Sequence, residues 1–218
     1  MTQQAQYAPA LGRPELTGLY DLVVSLVTRE HRWRAALLRG PGPAGRRDDH
    51  RHRLRHRLPG HRRQAGAAGA RVIGVDPDPA VLAIARAKAQ RAGVTVDWIQ
   101  GLGDQADTLV GQGVADAVIS SLVLHQCDEP VKAGILRAMA RLSRPGARVL
   151  IADYGRQRGL MRLLFRIVQA VDGHERTEFN AVGALPGLMR ASGLTAVTEL
   201  DRIATPTGSI SLYATRAG

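Results

Sequence analysis

From Arg71 onwards, short apolar runs alternate with longer segments whose apolar residues recur at helical spacing. The runs have the length and β-branched content expected of strands, and they cover 71–75, 94–100, 114–124 and 147–152. Apolar residues three and four positions apart predict helices over 79–92, 130–142, 160–171 and 181–192. Strands that alternate with helices predict βαβ units and therefore a parallel sheet.

The end of the chain departs from this alternation. Two extended runs, 194–203 and 209–215, are separated by only five residues, which include Pro206 and Gly208. So short a connection joins antiparallel neighbours, because a parallel crossover needs about a dozen residues or more. The pattern therefore predicts an α/β fold: a doubly wound, mostly parallel sheet with helices on both faces and a terminal antiparallel hairpin.

The run that begins at Arg71 ends in a carboxylate, Asp76, and a helix follows at once. Asp78 is suited to cap that helix, Pro79 fits its first turn and Gly93 is placed to end it. Ligands of open α/β sheets bind at the carboxyl ends of the strands, where an acid accepts the hydrogen bonds of a ribose diol. Two interpretations of Asp76 follow, a nucleoside-binding acid or an acid that belongs only to the loop.

The composition fits one globular domain. The chain has 218 residues, of which 44% are hydrophobic and only 4% aromatic. No apolar run approaches the roughly 18 residues of a membrane span, and the N-terminus lacks the pattern of a secretory signal. Cys127 is the single cysteine, which excludes an internal disulfide framework. We therefore expect a cytoplasmic protein without a membrane span.

The formal charge of +11 is concentrated in one segment, 40–64, which contains eight arginines, two aspartates and four histidines. This basic segment shows neither helical nor strand periodicity, although a doubly wound domain would have its first strand and glycine loop about 20 residues before the acid. In GC-rich DNA the codons of His, Arg and Leu all begin with C. Read one base later, 50–61 admits an apolar strand, an acid and a loop of G-x-G-x-G type. One hypothesis is a segment translated out of frame, and the other is a genuine basic insertion.

Several motifs resemble those of the class I S-adenosylmethionine-dependent methyltransferases, especially the small-molecule branch similar to menaquinone and ubiquinone C-methyltransferases. They are VIGVDPDPAVLAIARAKA, the turn QGLGD, the strand DAVISSLVLH, the segment RPGARVLIADYG and the terminal hairpin. The resemblance implies a Rossmann-like methyltransferase domain over 40–218. Before it, the apolar stripe of Leu19, Leu22, Val23, Leu26 and Val27 predicts a helical cap over 1–39. The resemblance also implies a helical lid over 157–192.

The same resemblance implies a binding site for S-adenosyl-L-methionine. Asp76 matches the acid that holds the ribose hydroxyls. The turn that contacts the adenine corresponds to Leu102, Gly103 and Asp104. The strand end beside the methionine part corresponds to Ser121 and Leu122.

The basic segment departs from the family pattern. Arg53, Arg55 and Arg57 stand where three glycines would lie in the shifted frame. An arginine cannot replace a glycine whose role is to leave space for a ligand. The sequence therefore predicts impaired cofactor binding by the chain as written.

Methyl transfer needs a general base only where the acceptor must lose a proton. His125 is the candidate, because its ordinary pKa lies near neutrality; the alternative is a histidine satisfied within the fold. Asp153 and Tyr154 close the following strand at the same edge and are candidates to line the acceptor site. The apolar helix over 160–171 favours a lipophilic or aromatic small-molecule acceptor.

Two other functions compete with methyl transfer. The basic segment favours a nucleic-acid or anion-binding protein on an inactive α/β scaffold, but it contains no aromatic residue to stack on bases. An acid after the second strand also suits a nicotinamide-linked oxidoreductase. The terminal hairpin and the serines at the strand end argue against that function.

Overall fold

The structure, a computed structural model, describes residues 70–218. Its strands are β1 (Ile73–Asp76), β2 (Asp97–Gln100), β3 (Ala115–Ser121), β4 (Ser143–Tyr154), β5 (Leu194–Thr205) and β6 (Gly208–Ala217). Its helices are α1 (Pro79–Ala92), α2 (Ala106–Val110), α3 (Glu129–Leu142), α4 (Gly159–Leu164), α5 (Arg166–Asp172), α6 (His174–Ala181) and α7 (Leu185–Ala191). The predicted helical cap and the basic segment lie outside the described residues.

The strands of the described part form two sheets. β1 and β2 pair in parallel, and the other four strands are arranged in the order β3-β4-β6-β5. β3 is parallel to β4, whereas β6 is antiparallel to both β4 and β5. Only Pro206 and Thr207 separate β5 from β6, which enforces the hairpin. The predicted α/β fold with its terminal antiparallel hairpin is confirmed.

Alternate residues of β4 face opposite sides of the larger sheet, and both sides are buried. Leu150, Ala152 and Tyr154 pack with residues of α5, α6 and β6. Val149 and Ile151 pack with residues of α3, α7 and β5 on the other side. Helices therefore cover both faces of the sheet, as the near-continuous apolar run of this strand requires.

Helix α1 begins and ends where the sequence predicts. Asp78 Oδ1 accepts a hydrogen bond from the N–H of Ala80 at 2.8 Å, and Pro79 occupies the first turn. Gly93 ends the helix in the left-handed conformation, with a φ of +65°. Local sequence chemistry is thus sufficient to place this helix directly after Asp76.

Gly74, in the middle of β1, is explained by the neighbouring strand. Its register partner in β2 is Trp98, and a Cβ on Gly74 would lie 2.3 Å from Trp98 Cζ3. The indole ring therefore packs across the glycine, and glycine is the residue that permits this close approach.

Several strand boundaries differ from the prediction, and β2 begins at Asp97 rather than at 94. The strand predicted to extend to 124 ends at Ser121, because Leu122 adopts a left-handed conformation with a φ of +55°. β4 begins at Ser143 rather than at 147, and its pairing with β3 is irregular over the first residues. Gly146, with a φ of +74°, lies in this irregular part.

The helices after β4 are shorter and more numerous than predicted. The helix predicted over 160–171 is two helices, α4 and α5, which meet at Phe165. The start predicted at 181 is wrong, because Ala181 ends α6 and α7 begins at Leu185. The sequence HERTEFNA of α6 has no apolar stripe and gave no helical signal. None of the described helices is long and apolar enough to cross a membrane.

Both sheets have an edge without a partner among residues 70–218. There, β1 pairs only with β2, and β3 pairs only with β4 and not with β1. Ile119, in the middle of β3, exposes 53% of its surface. Such exposure is typical of a strand at a sheet edge and not of a central parallel strand.

Candidate active site

Asp76 lies at the carboxyl end of β1, next to the residues that follow β2. Its register partner is Gln100, and the N–H of Gly101 donates to its carbonyl oxygen at 3.1 Å. Asp76 Oδ1 accepts a hydrogen bond from the N–H of Asp78 at 2.8 Å. Burial raises the pKa of Asp76, and the hydrogen bond from Asp78 offsets only part of that rise. Parallel pairing therefore brings the predicted ribose acid beside the predicted adenine-binding turn.

The turn after β2 packs closely and leaves no room for side chains at its first glycine. A Cβ on Gly101 would lie 2.3 Å from Leu109 Cδ1 in α2. Leu102 is extended, and Gly103 and Asp104 enter a short 3-10 turn. A Cβ on Gly103 would lie 3.3 Å from a side-chain carbon of α3, so the turn rests on that helix.

The end of β3 is shaped by a carboxylate from β4. Ser121 ends the strand, and the left-handed Leu122 turns the chain. The next two N–H groups, of Val123 and Leu124, donate to Asp153 Oδ2 at 3.0 and 2.7 Å. A non-glycine residue at positive φ costs free energy and often marks a functional turn. The fully buried Asp153 thus holds this turn in place rather than facing an open acceptor site.

His125 lies in the same turn, only 3% exposed, between two carboxylates. Its Nδ1 is 2.8 Å from Asp153 Oδ1, and its Nε2 is 3.5 Å from Asp172 Oδ2. Burial lowers the pKa of His125, but the charges and hydrogen bonds of the two carboxylates outweigh burial and raise it to about 9. The raised pKa favours the imidazolium form at neutral pH, which donates at both ring nitrogens.

Lys132 is a fully buried residue of the site that the sequence analysis missed. Its Nζ donates to the carbonyl oxygens of Cys127 at 2.5 Å and Arg176 at 2.6 Å. Burial lowers the pKa of Lys132. The spacing of Lys132 indicates its burial. It precedes Ile135 by three residues and Leu136 by four, and so lies on the buried stripe of α3.

Asn180 is a second missed residue, and it is also fully buried. Its Nδ2 donates to the carbonyl oxygen of Tyr154 at 2.9 Å and lies 3.4 Å from Asp153 Oδ1. It belongs to α6, the helix without a sequence signal, so the sequence gave no indication of its position.

The predicted site residues form two groups. Asp76 and the turn at 101–104 lie at the ends of β1 and β2, whereas 121–125 and Asp153 lie at the ends of β3 and β4. Helix α3 connects the groups. It begins four residues after His125, and a Cβ on its Gly134 would lie 3.0 Å from Asp104 Cβ.

Residues 60–151 match the model of a family described as a methyltransferase domain. The match covers β1, β2, β3 and most of β4, including every predicted cofactor-binding residue. Among the curated proteins, none matches the chain.

Solved structures share the fold at low sequence identity. A putative methyltransferase from Bacillus halodurans is 14% identical, with a TM-score of 0.52 over 68% of this chain and 83% of that chain. Magnesium protoporphyrin IX methyltransferase from Synechocystis, with bound SAH, is 17% identical, with a TM-score of 0.52 over 69% and 66%. An O-methyltransferase family protein from Burkholderia thailandensis is 19% identical, with a TM-score of 0.48 over 64% and 42%. This chain thus spans less than half of the length of that last protein.

The match and the observed sheet agree. Residues 60–151 match a methyltransferase domain, and the sheet has the fold of the solved methyltransferase structures.

Proposed function

We propose that the protein transfers the methyl group of S-adenosylmethionine to a small-molecule acceptor. The observation that carries the proposal is the position of Asp76, 101–104 and 121–122 at the carboxyl ends of β1, β2 and β3. All three lie within the matched methyltransferase domain. Ligands of open α/β sheets bind at this edge, so a single elongated cofactor can contact all three.

The residues present fit the cofactor in chemistry. Asp76 would accept hydrogen bonds from the ribose hydroxyls, and the turn of Leu102, Gly103 and Asp104 would contact the adenine. Ser121 and Leu122 would lie beside the methionine part. The bound cofactor supplies a methyl group that is already activated on a sulfonium, so the protein mainly positions the acceptor.

The helices over 159–191 support a lipophilic or aromatic acceptor. They follow β4 directly, and Phe165 and Val168 pack on Tyr154 at its end. The Tyr154 and Phe165 rings are 5.0 Å apart. We propose that these helices form the lid of the acceptor site, with an acceptor similar to those of the quinone C-methyltransferases.

We also propose that the basic segment is translated out of frame and has replaced, in sequence, the first strand and glycine loop, so that this chain binds cofactor weakly. One observation supports this. The domain match begins only at residue 60, near the end of the segment.

Calorimetric titration with S-adenosylhomocysteine tests the cofactor site. We compare the chain as written with a chain whose 50–61 segment encodes the shifted frame, and we add Asp76→Ala to each. The expected result is tight binding by the frame-corrected chain, weak or no binding by the chain as written, and loss of binding with Asp76→Ala. Asp78→Asn is the matched control, because it keeps the helix cap.

Transfer of a tritiated methyl group to a panel of quinols, phenols and amines then tests the acceptor class. Labelling of a quinol or phenol supports the proposal. A frame-corrected chain that binds NADH but not S-adenosylhomocysteine would overturn it. Equal binding of S-adenosylhomocysteine by both chains would overturn the impairment but not the function.

A further inference from the structure

Buried polar contacts tie the helices after β4 to the ends of β3 and β4. Lys132 of α3 donates to the carbonyl oxygen of Arg176 in α6, and Asn180 of α6 donates to the carbonyl oxygen of Tyr154. A third contact runs through His125 and joins two charged side chains. They are Asp153 of β4 and Asp172, the last residue of α5.

The contact between His125 and Asp172 requires a protonated ring. Asp153 accepts the hydrogen bond from Nδ1–H, so a neutral ring would present a lone pair at Nε2. That lone pair would face Asp172 Oδ2, another acceptor, at 3.5 Å. A neutral ring would instead accept from Gln126 Nε2, which lies 3.4 Å away. Only the imidazolium donates at both nitrogens and holds α5.

We propose that His125 is a positioning residue: as an imidazolium it joins Asp153 to Asp172 and holds α4 to α6 over the acceptor side of the site. Its effect on methyl transfer rests on the proposed function, whereas the docking of the helices does not. His125 then acts by holding the helices and not by removing a proton from the acceptor. This follows because each of its nitrogens faces a carboxylate, Nδ1 at 2.8 Å from Asp153 and Nε2 at 3.5 Å from Asp172.

The surroundings of His125 balance its charge. Two carboxylates face it, Asp153 from β4 and Asp172 from α5. The Tyr154 ring, with its centroid 4.9 Å from that of the imidazole, and the Gln126 amide also face it. Lys132 adds a positive charge that acts on Asp153. Two carboxylates thus oppose one imidazolium and one ammonium. Loss of the imidazolium proton leaves one negative charge in excess, which favours release of Asp172, the more exposed of the two acids.

Hydrogen–deuterium exchange on the full chain tests the docking. At about pH 7, we expect Asp172→Asn to exchange about tenfold faster than wild type in peptides of α5 and α6. Asp172→Glu keeps the charge and should recover part of the protection. Glu175→Gln removes an exposed carboxylate of α6 that makes no contact with His125, so it should exchange like wild type.

At about pH 10 the difference between wild type and Asp172→Asn should disappear, because His125 is then neutral in both. Equal exchange at about pH 7, or a difference that persists at about pH 10, overturns the proposal. Failure of the frame-corrected chain to bind S-adenosylhomocysteine, together with this exchange pattern, would refute the proposed function and keep the docking role. With an acceptor that is methylated, Asp172→Asn should raise KM more than it lowers kcat, and the reverse overturns the positioning role.

Discussion

Asp153 and His125 are 28 residues apart in sequence and form a buried pair, with 2.8 Å between Oδ1 and Nδ1. The other oxygen of Asp153 accepts the N–H groups of Val123 and Leu124. A single carboxylate at the end of β4 therefore fixes both the backbone after β3 and the ionisation of the histidine in that turn.

Replacing Asp153 with Asn should destabilise the protein strongly. The change leaves the imidazolium of His125 with a weaker partner and weakens the charge-assisted bonds to the turn. Breaking a buried pair from one side typically costs about 3–5 kcal/mol in the free energy of unfolding. Urea denaturation at neutral pH measures this cost. Asp116→Asn, which removes an acid with an 81% exposed side chain, should change little, and a similar effect of both variants would contradict the prediction.

Stability should fall with rising pH because of His125. Its pKa is raised from 6.5 to about 9, so between these values the folded chain holds a proton that the unfolded chain has lost. The resulting stabilisation is fully present below about pH 6.5 and is lost as the pH rises through about 9. Its size is on the order of 3 kcal/mol. Urea denaturation from about pH 6 to about pH 10 measures it. The same slope in His125→Gln would count against this assignment.

Gly74→Ala should destabilise the pairing of β1 with β2. The new Cβ would meet the rigid ring of Trp98 at 2.3 Å, so the indole must leave the face of β1. Overpacking of this kind costs about 1–3 kcal/mol. Gly187→Ala is the matched control, because nothing lies within 4 Å of its added Cβ and it is inside α7. The free energy of unfolding of the control should rise by roughly 0.5–1 kcal/mol, because alanine favours a helix more than glycine does. Thermal denaturation of both variants measures the two effects.

Lys132→Met should loosen α6 as well as destabilise the fold. Methionine fills the space but leaves the carbonyl oxygens of Cys127 and Arg176 without their donor. Each unpaired buried group costs about 1–3 kcal/mol. Arg137→Met, on the exposed side of the same helix, is the control. Urea denaturation and amide exchange in 174–181 measure the two effects, and unchanged exchange in α6 would show that Lys132 does not hold that helix.

Much of the candidate site follows from local sequence patterns. The acid after an apolar run, the Asp78-Pro79 helix start and the five-residue link at 204–208 are local signals, and each gave the right element. Asp76 and 101–104 lie together because parallel strands carry their carboxyl ends to one edge. That rule holds for any parallel sheet, so the predicted strands are sufficient to apply it.

Other features had no such signal, because they depend on contacts between residues distant in sequence. The left-handed Leu122 shortened a strand whose residues suit β-structure throughout, since Asp153 draws the next two N–H groups toward itself. Helix α6 lacks an apolar stripe and is held by polar contacts, from Lys132 to the carbonyl oxygen of Arg176 and from its own Asn180 to the carbonyl oxygen of Tyr154.

By itself, the sequence determined the strands, the main helix caps, the terminal hairpin and the strand ends at which a cofactor would bind. These are set by periodicity and turn chemistry within a few residues of each other. Only the tertiary structure decided the state of His125. A pKa depends on burial and on charges within a few ångströms, and the carboxylates that raise it come from Asp153 and Asp172, 28 and 47 residues further along the chain.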